Sequence, residues 1–410
     1  MVRLTGDRDR RAQRARTARR RRQRVIAVVR AVAVAVLMQQ GIRRTKRRPV
    51  RMTWTLLLKN MTPREFLGRY RLSREQFDSL LQRILAKRPK YKGMKGALDC
   101  RLKLASCLRY LAGGKAKDVA DLHGQREAIF YKHLDETVDA ILATEIRTMQ
   151  LPVYPWQRQQ LEALKARCAA GHYESYVRGV FGFIDGIVVP TLKPKVSDVG
   201  EHVRDYWCER KKTWGINAVG VCNERLEFDA FIVRSGASTH DSTVVGSSWL
   251  GEALISARLP PRTWLFGDGA FGGKPHILSP YRRPRAGTGQ DVFNYVLSHY
   301  RQRIERAFGL LVRRWGILWS PLSRSAAANT RTLMCCVCLH NICQRDSSPL
   351  DIKGDADVLH RVTDDAEVVD RFMGAFDCEF NRVRRCEQTR AERDVVAKAL
   401  FEAGIERPPS

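Results

Sequence analysis

The hydrophobic period of this chain changes once, and that change restricts how it can pack. From Thr62 to Ile141 the apolar residues recur at three- and four-residue steps, as in Phe66, Leu67, Tyr70, Phe77, Leu80, Leu81 and Ile84. Thr62 and Ser73 precede these runs as capping residues. A second set runs from Leu98 to Leu111, stops at Gly113-Gly114, resumes over Ala116 to Leu122, breaks at His123-Gly124 and continues from Arg126 to Ile141. Helix, short helix, glycine turn and longer helix is the rhythm of a helix-turn-helix, whose last helix enters the DNA major groove, although any packed helical layer can show it.

Past Pro152 and Pro155 the period drops to two. Tyr176 to Val189 alternates and ends at Pro190, with Phe181, Phe183 and Asp185 falling on one face. Ile216 to Cys222 and Phe228 to Val233 are β-rich runs joined by Asn223-Glu224-Arg225, and Thr263 to Phe266 is short and apolar. A long helix then carries Ile304, Phe308, Leu311, Val312 and Trp315 on one stripe. This order predicts an α/β fold: a ribonuclease-H-like domain over 175–345, a mixed sheet with flanking helices, behind an N-terminal all-α, helix-turn-helix-like region over 61–150. At 410 residues the chain exceeds what one core normally fills, leaving a basic arm with an Ala/Val-rich helix at 1–60 and an acidic tail at 346–410 with a helix over Thr389 to Phe401.

Charge narrows the partners. Residues 1–51 hold 18 Lys and Arg against two Asp, more than half of a formal net charge of +30. The clusters Arg19 to Arg22 with Arg24, and Arg43, Arg44, Lys46, Arg47 and Arg48, read as nuclear-import or phosphate-binding arms, or as a solvated tail. A phosphate-covered partner is favoured, since each phosphate neutralised releases counterions. The apolar run Val25 to Met38 is 14 residues long and broken by Arg30, too short and too charged to span a membrane. Eleven scattered cysteines, an odd count, fit reduced thiols in an intracellular compartment better than a disulfide framework.

Three acids carry the chemistry. Asp185 lies in Phe183-Ile184-Asp185-Gly186, where a carboxylate among large apolar neighbours is costly unless it is paired or bound to a cation. Asp268 lies in Gly267-Asp268-Gly269, which permits a sharp turn and close ligand approach but is also common in ordinary turns. Glu305 sits about 100° around from the buried stripe of its helix, where it can point toward strand ends; otherwise it makes an exposed pair with Arg301 at i−4, worth about 0.3–0.5 kcal/mol. Converging carboxylates would repel, and Mg²⁺ or Mn²⁺ relieves that; two ions about 3.5–4 Å apart can activate a nucleophile and stabilise a leaving oxygen at phosphorus.

Around these acids the chain resembles the PIF/Harbinger transposases and the nuclease-like proteins domesticated from them. The resemblance is carried, in order, by Phe183-Ile184-Asp185-Gly186, Tyr206-Trp207-Cys208-Glu209-Arg210-Lys211-Lys212 with Asn217, His240-Asp241-Ser242 with Ser247-Ser248, Gly267-Asp268, Leu278-Ser279-Pro280-Tyr281, Arg303-Ile304-Glu305-Arg306-Ala307-Phe308-Gly309 and Leu339-His340-Asn341. It spans roughly Phe66 to Asn341 and implies a DDE triad of Asp185, Asp268 and Glu305, serving both as catalytic residues and as ligands for a divalent metal. It also implies a nuclear endonuclease or transposase acting on DNA, working with a second DNA-binding protein. Arg210, Lys211 and Lys212 are candidates to grip the DNA backbone, and Asp241 to support the metal ligands. The chain departs from the family at Gly269-Ala270-Phe271, where Ser-Gly-Tyr is common, and at Asn223, where Asp is usual.

Other readings share these features. A domesticated, catalytically inactive DNA-binding protein would keep the fold, and a basic RNA-binding or ribonucleolytic protein would share fold and charge. Cys335, Cys336, Cys338, His340 and Cys343 suggest zinc, but Cys336 and Cys343 stand about 10.5 Å apart along a helix and cannot share one ion. They read as a packing helix. His240-Asp241-Ser242 has triad residue types, yet sequence neighbours do not converge as nucleophile and base.

Overall fold

The structure, a computed structural model, describes residues 52–59, 61–92, 98–149, 179–234, 236–255, 259–260, 263–345 and 387–405, with residues 23 and 151. The arginine clusters, the run from Val25 to Met38, the two prolines near 152 and most of the acidic tail lie outside the described residues.

Among the described residues six α-helices come first: α1 (Trp54–Leu58), α2 (Pro63–Tyr70), α3 (Arg74–Lys87), α4 (Cys100–Leu111), α5 (Ala116–Leu122) and α6 (Glu127–Glu145). Local chemistry sets their starts. Thr62 and Ser73 each accept from the backbone N–H three residues on, while Glu65 and Gln76 reach back to the caps, so α2 and α3 both open with complete capping boxes. Asp99 caps α4. Trp54 stacks on Phe77 with centroids 5.1 Å apart, drawing α1, which falls within the sequence-based basic arm, onto the helical layer.

The sheet follows: β1 (Val180–Pro190), β2 (Trp207–Cys208), β3 (Thr213–Cys222), β4 (Phe228–Arg234), then α7 (Asp241–Gly246), α8 (Trp249–Ile255), β5 (Trp264–Phe266) and β6 (Ile277–Leu278). After it come α9 (Gly289–Arg314), α10 (Ala326–Arg345) and α11 (Glu387–Glu402). Strand order is β2-β3-β1-β5-β6, with β4 also on β3; β1 pairs antiparallel with β3 and parallel with β5. A mixed sheet with helices on its flanks is consistent with a ribonuclease-H-like DDE domain.

The two faces of β1 feed different cores. Phe183, Ile187 and Val189 join the cluster that holds α9, α10 and the N-terminal helices, whereas Ile184 joins Val219, Val221, Val244 and Leu265. Phe181 belongs with Ile184 and not with Phe183, contrary to simple alternation. The register of β1 against β5 shifts between Val180 and Gly182, and such an irregularity turns the residue beside it to the other face.

Two contacts bind distant segments into this frame. His340 Nε2 lies 2.8 Å from the Leu226 carbonyl, and Asn341 both accepts from Phe228 N–H and donates to its carbonyl, each at 2.8 Å. The Leu-His-Asn motif therefore anchors the β3–β4 hairpin on α10, and the described cysteines are buried and outside any disulfide, Cys335, Cys336, Cys338 and Cys343 of α10 among them. Where the helical layer meets the C-terminal end of α9, Gly316 touches Gly113 backbone to backbone: a Cβ on Gly316 would lie 2.7 Å from the Ala112 carbonyl oxygen.

Gly316→Ala is therefore expected to lower stability by about 1–3 kcal/mol through overpacking. Gly309→Ala, at an open helical position with nothing within 4 Å of the added carbon, should be neutral or stabilising by up to about 1 kcal/mol. Thermal denaturation of the two variants beside wild type checks both; equal melting temperatures would remove the Gly113–Gly316 contact as a constraint.

Candidate active site

The parallel pairing of β1 with β5 builds the pocket. Phe183 stands opposite Phe266, so two further residues along each chain bring Asp185 and Asp268 side by side. β5 ends at Phe266 while β1 continues to Pro190, leaving a gap in the sheet beyond β5. Such crevices past the carboxyl ends of parallel strands are where α/β folds place ligands.

Asp185 is buried, on the face of β1 that looks toward α9. One carboxylate oxygen accepts the Gly186 N–H at 2.8 Å, and the other pairs with Arg301 Nη2 at 2.9 Å. Burial raises its pKa to about 7; Arg301 opposes that rise and the Asp268 charge adds to it. Asp268 is half-buried and caps the short turn Gly269–Phe271, accepting the Ala270 N–H at 3.0 Å through one oxygen. The Phe271 ring is fully buried with Leu265 and Ile277, an apolar setting that suits phenylalanine.

A further carboxylate enters from α7. Asp241 stands at the first turn of that helix, and its carboxyl group fills the space beside Gly186, where a Cβ would lie 2.2 Å from Asp241 Cγ. That is why glycine follows Asp185. Asn217 donates to Asp241 at 2.9 Å and to the Thr239 carbonyl at 2.6 Å. Burial raises the Asp241 pKa; the Asn217 hydrogen bond lowers it, and the Asp268 charge raises it again. Lys211, in the β2–β3 turn, is held below its usual pKa by burial and by Arg210, while Asp241 and Asp185 pull it the other way.

Glu305 lies one helical turn beyond Arg301 on α9, half-buried, its pKa raised by burial and lowered by Arg301. Sequence reasoning cast Arg301 as an exposed partner of Glu305. In the structure its side chain is only 13% exposed and turns instead to Asp185, since a buried charge compensates a buried charge better than a half-solvated one does. Arg301 Nε has no hydrogen-bond partner. The i−4 spacing to Glu305 was the only sequence signal for this residue, and it could not show which acid Arg301 would choose.

The structure thus brings Asp268 into electrostatic reach of both Asp185 and Asp241, while Glu305 joins them through Arg301. Among the described residues no three His, Cys, Asp or Glu side chains stand close enough, as they lie, to hold one ion. The acids are hard oxygen donors, the type suited to Mg²⁺ or Mn²⁺. Asn223, by contrast, is spent on structure: it caps the β3–β4 turn through the Arg225 and Glu227 N–H groups and donates to Asp229.

A buried carboxylate beside a half-buried one, past the end of β5 in a mixed sheet walled by a long helix with a further acid, is consistent with a ribonuclease-H-like DDE domain. Residues 184–341 match the family described as DDE superfamily endonuclease. The chain is also 23% identical over 304 residues to "Protein ALP1-like" of Arabidopsis thaliana, covering 68% of this chain and 70% of that relative. These similarities are consistent with a Harbinger-type DDE nuclease. No solved structure matches the chain.

The raised pKa of Asp185 fixes the sign of a pH effect. An acid whose folded pKa exceeds its unfolded value, about 3.9, contributes stability below that value and loses it as pH rises through about 7. Buried His123 and His340, lowered to about 4 and about 3, act in the opposite direction, so the informative quantity is a difference between proteins. With chelator present, wild type should lose melting temperature relative to Asp185→Asn between about pH 4 and 7, the range over which Asp185 releases its proton. Parallel curves would show that Asp185 ionises without cost.

Proposed function

We propose that this protein is a metal-dependent DNA endonuclease or transposase in which Asp185, Asp268 and Glu305 are the catalytic ligand set. The observation that carries this reading is the buried Asp185 beside Asp268 at the open end of β5, because two acids are brought together there against their own repulsion. Hard divalent cations held by these oxygens would supply a lowered water pKa and charge neutralisation at phosphorus. The residues of the chain divide the remaining work. Arg301 holds Asp185 in place and, once released from it, lies where it can meet a phosphate oxygen. Asp241, braced by Asn217, orients the Gly186 side of the pocket. Lys211, within electrostatic reach of Asp185 and Asp241, together with Arg210 and Lys212 presents cations to the backbone of the strand. DNA is the substrate class of the nuclease family, the N-terminal helices are suited to DNA docking, and a nuclear location with a second DNA-binding protein completes the reading.

A domesticated DNA-binding protein without cleavage is the second reading, and one observation favours it. Arg301 already pairs with Asp185, so that carboxylate has a cationic partner without a metal ion.

Two measurements separate these readings. Wild type with Mn²⁺ should nick supercoiled DNA while Asp268→Asn leaves it intact; no nicking by either, with unchanged DNA affinity, would establish the binding-only protein. In calorimetric titration, Arg301→Gln should bind Mn²⁺ about tenfold more tightly than wild type, about 1.4 kcal/mol, because the internal competitor for Asp185 is gone. Equal or weaker binding would show that Arg301 does not compete.

A further inference from the structure

The basic motif after Tyr206 contains more than the pocket uses. Trp207 and Trp214 stand opposite each other across β2 and β3, ring centroids 5.2 Å apart and inclined at 59°. Cys208, the next residue, is buried with Val188 and Ala237, so alternation turns the indoles to the outer face of the hairpin, where both are half-buried. A cross-strand indole pair can simply stabilise a short hairpin. The surroundings ask for more. Lys193 places its ammonium 5.3 Å from the Trp214 centroid, Lys195 is exposed close by in sequence, and Leu192 and Val196, on either side of this pair in sequence, are 57% and 69% exposed.

The charges on this face are arranged for an anion. Trp207 Nε1 donates to Glu209 at 2.6 Å and Lys212 pairs with the same carboxylate, so the acid in the turn is already compensated. Asp205, the acid just before the motif, pairs with His202. Arg210 remains exposed at the turn, and Lys211 leads inward to Asp241 and Asp185. A track of cations interleaved with aromatic faces is the composition that single-stranded nucleic acid requires: phosphates meet the cations and bases stack on the rings.

We infer that Trp207 and Trp214 form a stacking platform for an unpaired base of a DNA strand whose phosphates pass Lys193, Arg210 and Lys211 toward the acidic pocket. The inference rests on the nuclease reading for its substrate class and extends it to strands that are not fully paired. Trp214 lies six residues along β3 from Gly220, the partner of Asp185, or about 20 Å at 3.3 Å per residue. That is about six nucleotides at 3.4 Å each, so the indoles are positioning residues for flanking sequence and do not touch the reacting phosphate. On arrival of a strand, Lys193 exchanges the ring face for a phosphate and leaves the indole to the base.

Metal-free full-length protein, titrated in the presence of chelator, tests this through quenching of tryptophan fluorescence and a competition assay. The probes are a fully paired duplex, the same duplex with a single-stranded DNA tail, and the tailed duplex with abasic sugars in the tail. Wild type should prefer the base-bearing tail to the abasic tail by about tenfold or more, the order that aromatic stacking on a base provides. Trp214→Ala should lose that preference while keeping duplex affinity within about twofold, and Trp214→Tyr should retain most of it, a pattern that mere loosening of the hairpin would not give. Equal affinity of wild type for both tails, an equal or better fit of an RNA tail, or a preference that survives Trp207→Ala with Trp214→Ala would overturn the platform. Asp268→Asn should keep the preference unchanged. A protein that shows the preference but never nicks DNA would lose the nuclease reading while keeping the platform.

Discussion

Everything about the pocket follows from one buried ion pair. Asp185 is carried by a strand in the middle of the sheet, with apolar side chains before and after it, and an ionised carboxyl group cannot stay there uncompensated. Arg301 supplies the compensation from the neighbouring helix, across 116 residues of sequence. The helix has to be held at the right height for this, and Arg303 does so, pairing with Glu224 of the β3–β4 turn while its guanidinium stacks over Phe183 and Tyr300 at 5.6 and 4.6 Å. That turn is held in turn by His340 and Asn341. Motifs far apart in the chain are links in one mechanical support for one carboxylate.

The same pair sets the electrostatic character of the site. With Arg301 attached, Asp185 still has its pKa raised, because desolvation outweighs one favourable partner when a second carboxylate is near. Such a site attracts another cation and also resists being left empty of charge. The enzymatic and the binding-only readings differ in whether Arg301 yields its place, a matter of relative free energies inside a pocket whose geometry suits both.

The N-terminal helices share a core with the sheet. Their buried residues, from Leu57 to Ile141, belong to the cluster that contains Phe183, Phe308 and Cys336, and Arg324 reaches back to Asp135 of α6 at 2.8 and 2.9 Å. At the other end of α9, Asp394 of α11 bonds the Tyr281 hydroxyl and Arg393 lies 3.7 Å over the Tyr281 ring. The Ser-Pro-Tyr motif after β6 is thereby an anchor for the C-terminal helix, a role that its sequence did not announce.

Much of the architecture was written locally. Capping boxes at Thr62 and Ser73, the breaks at Gly113-Gly114 and His123-Gly124, the β-branched runs around Val219 and Ile232, and the apolar stripe of α9 each depend on residues within a few positions, so periodicity and turn chemistry were enough to place those elements. The three acids were legible for the same reason, as carboxylates inside a strand, just past a strand and on a helix flank. Tertiary structure alone decided which groups meet. A two-residue strand such as β2 or β6 carries no period to read, and the shift that turns Phe181 to the other core arises only when β1 pairs with β5. Whether Arg301 would reach Asp185 or Glu305, and whether Asp241 would fill the space beside Gly186, depended on contacts between segments tens of residues apart. Through-space electrostatics and packing are properties of the fold, and a linear pattern holds only the candidates for them.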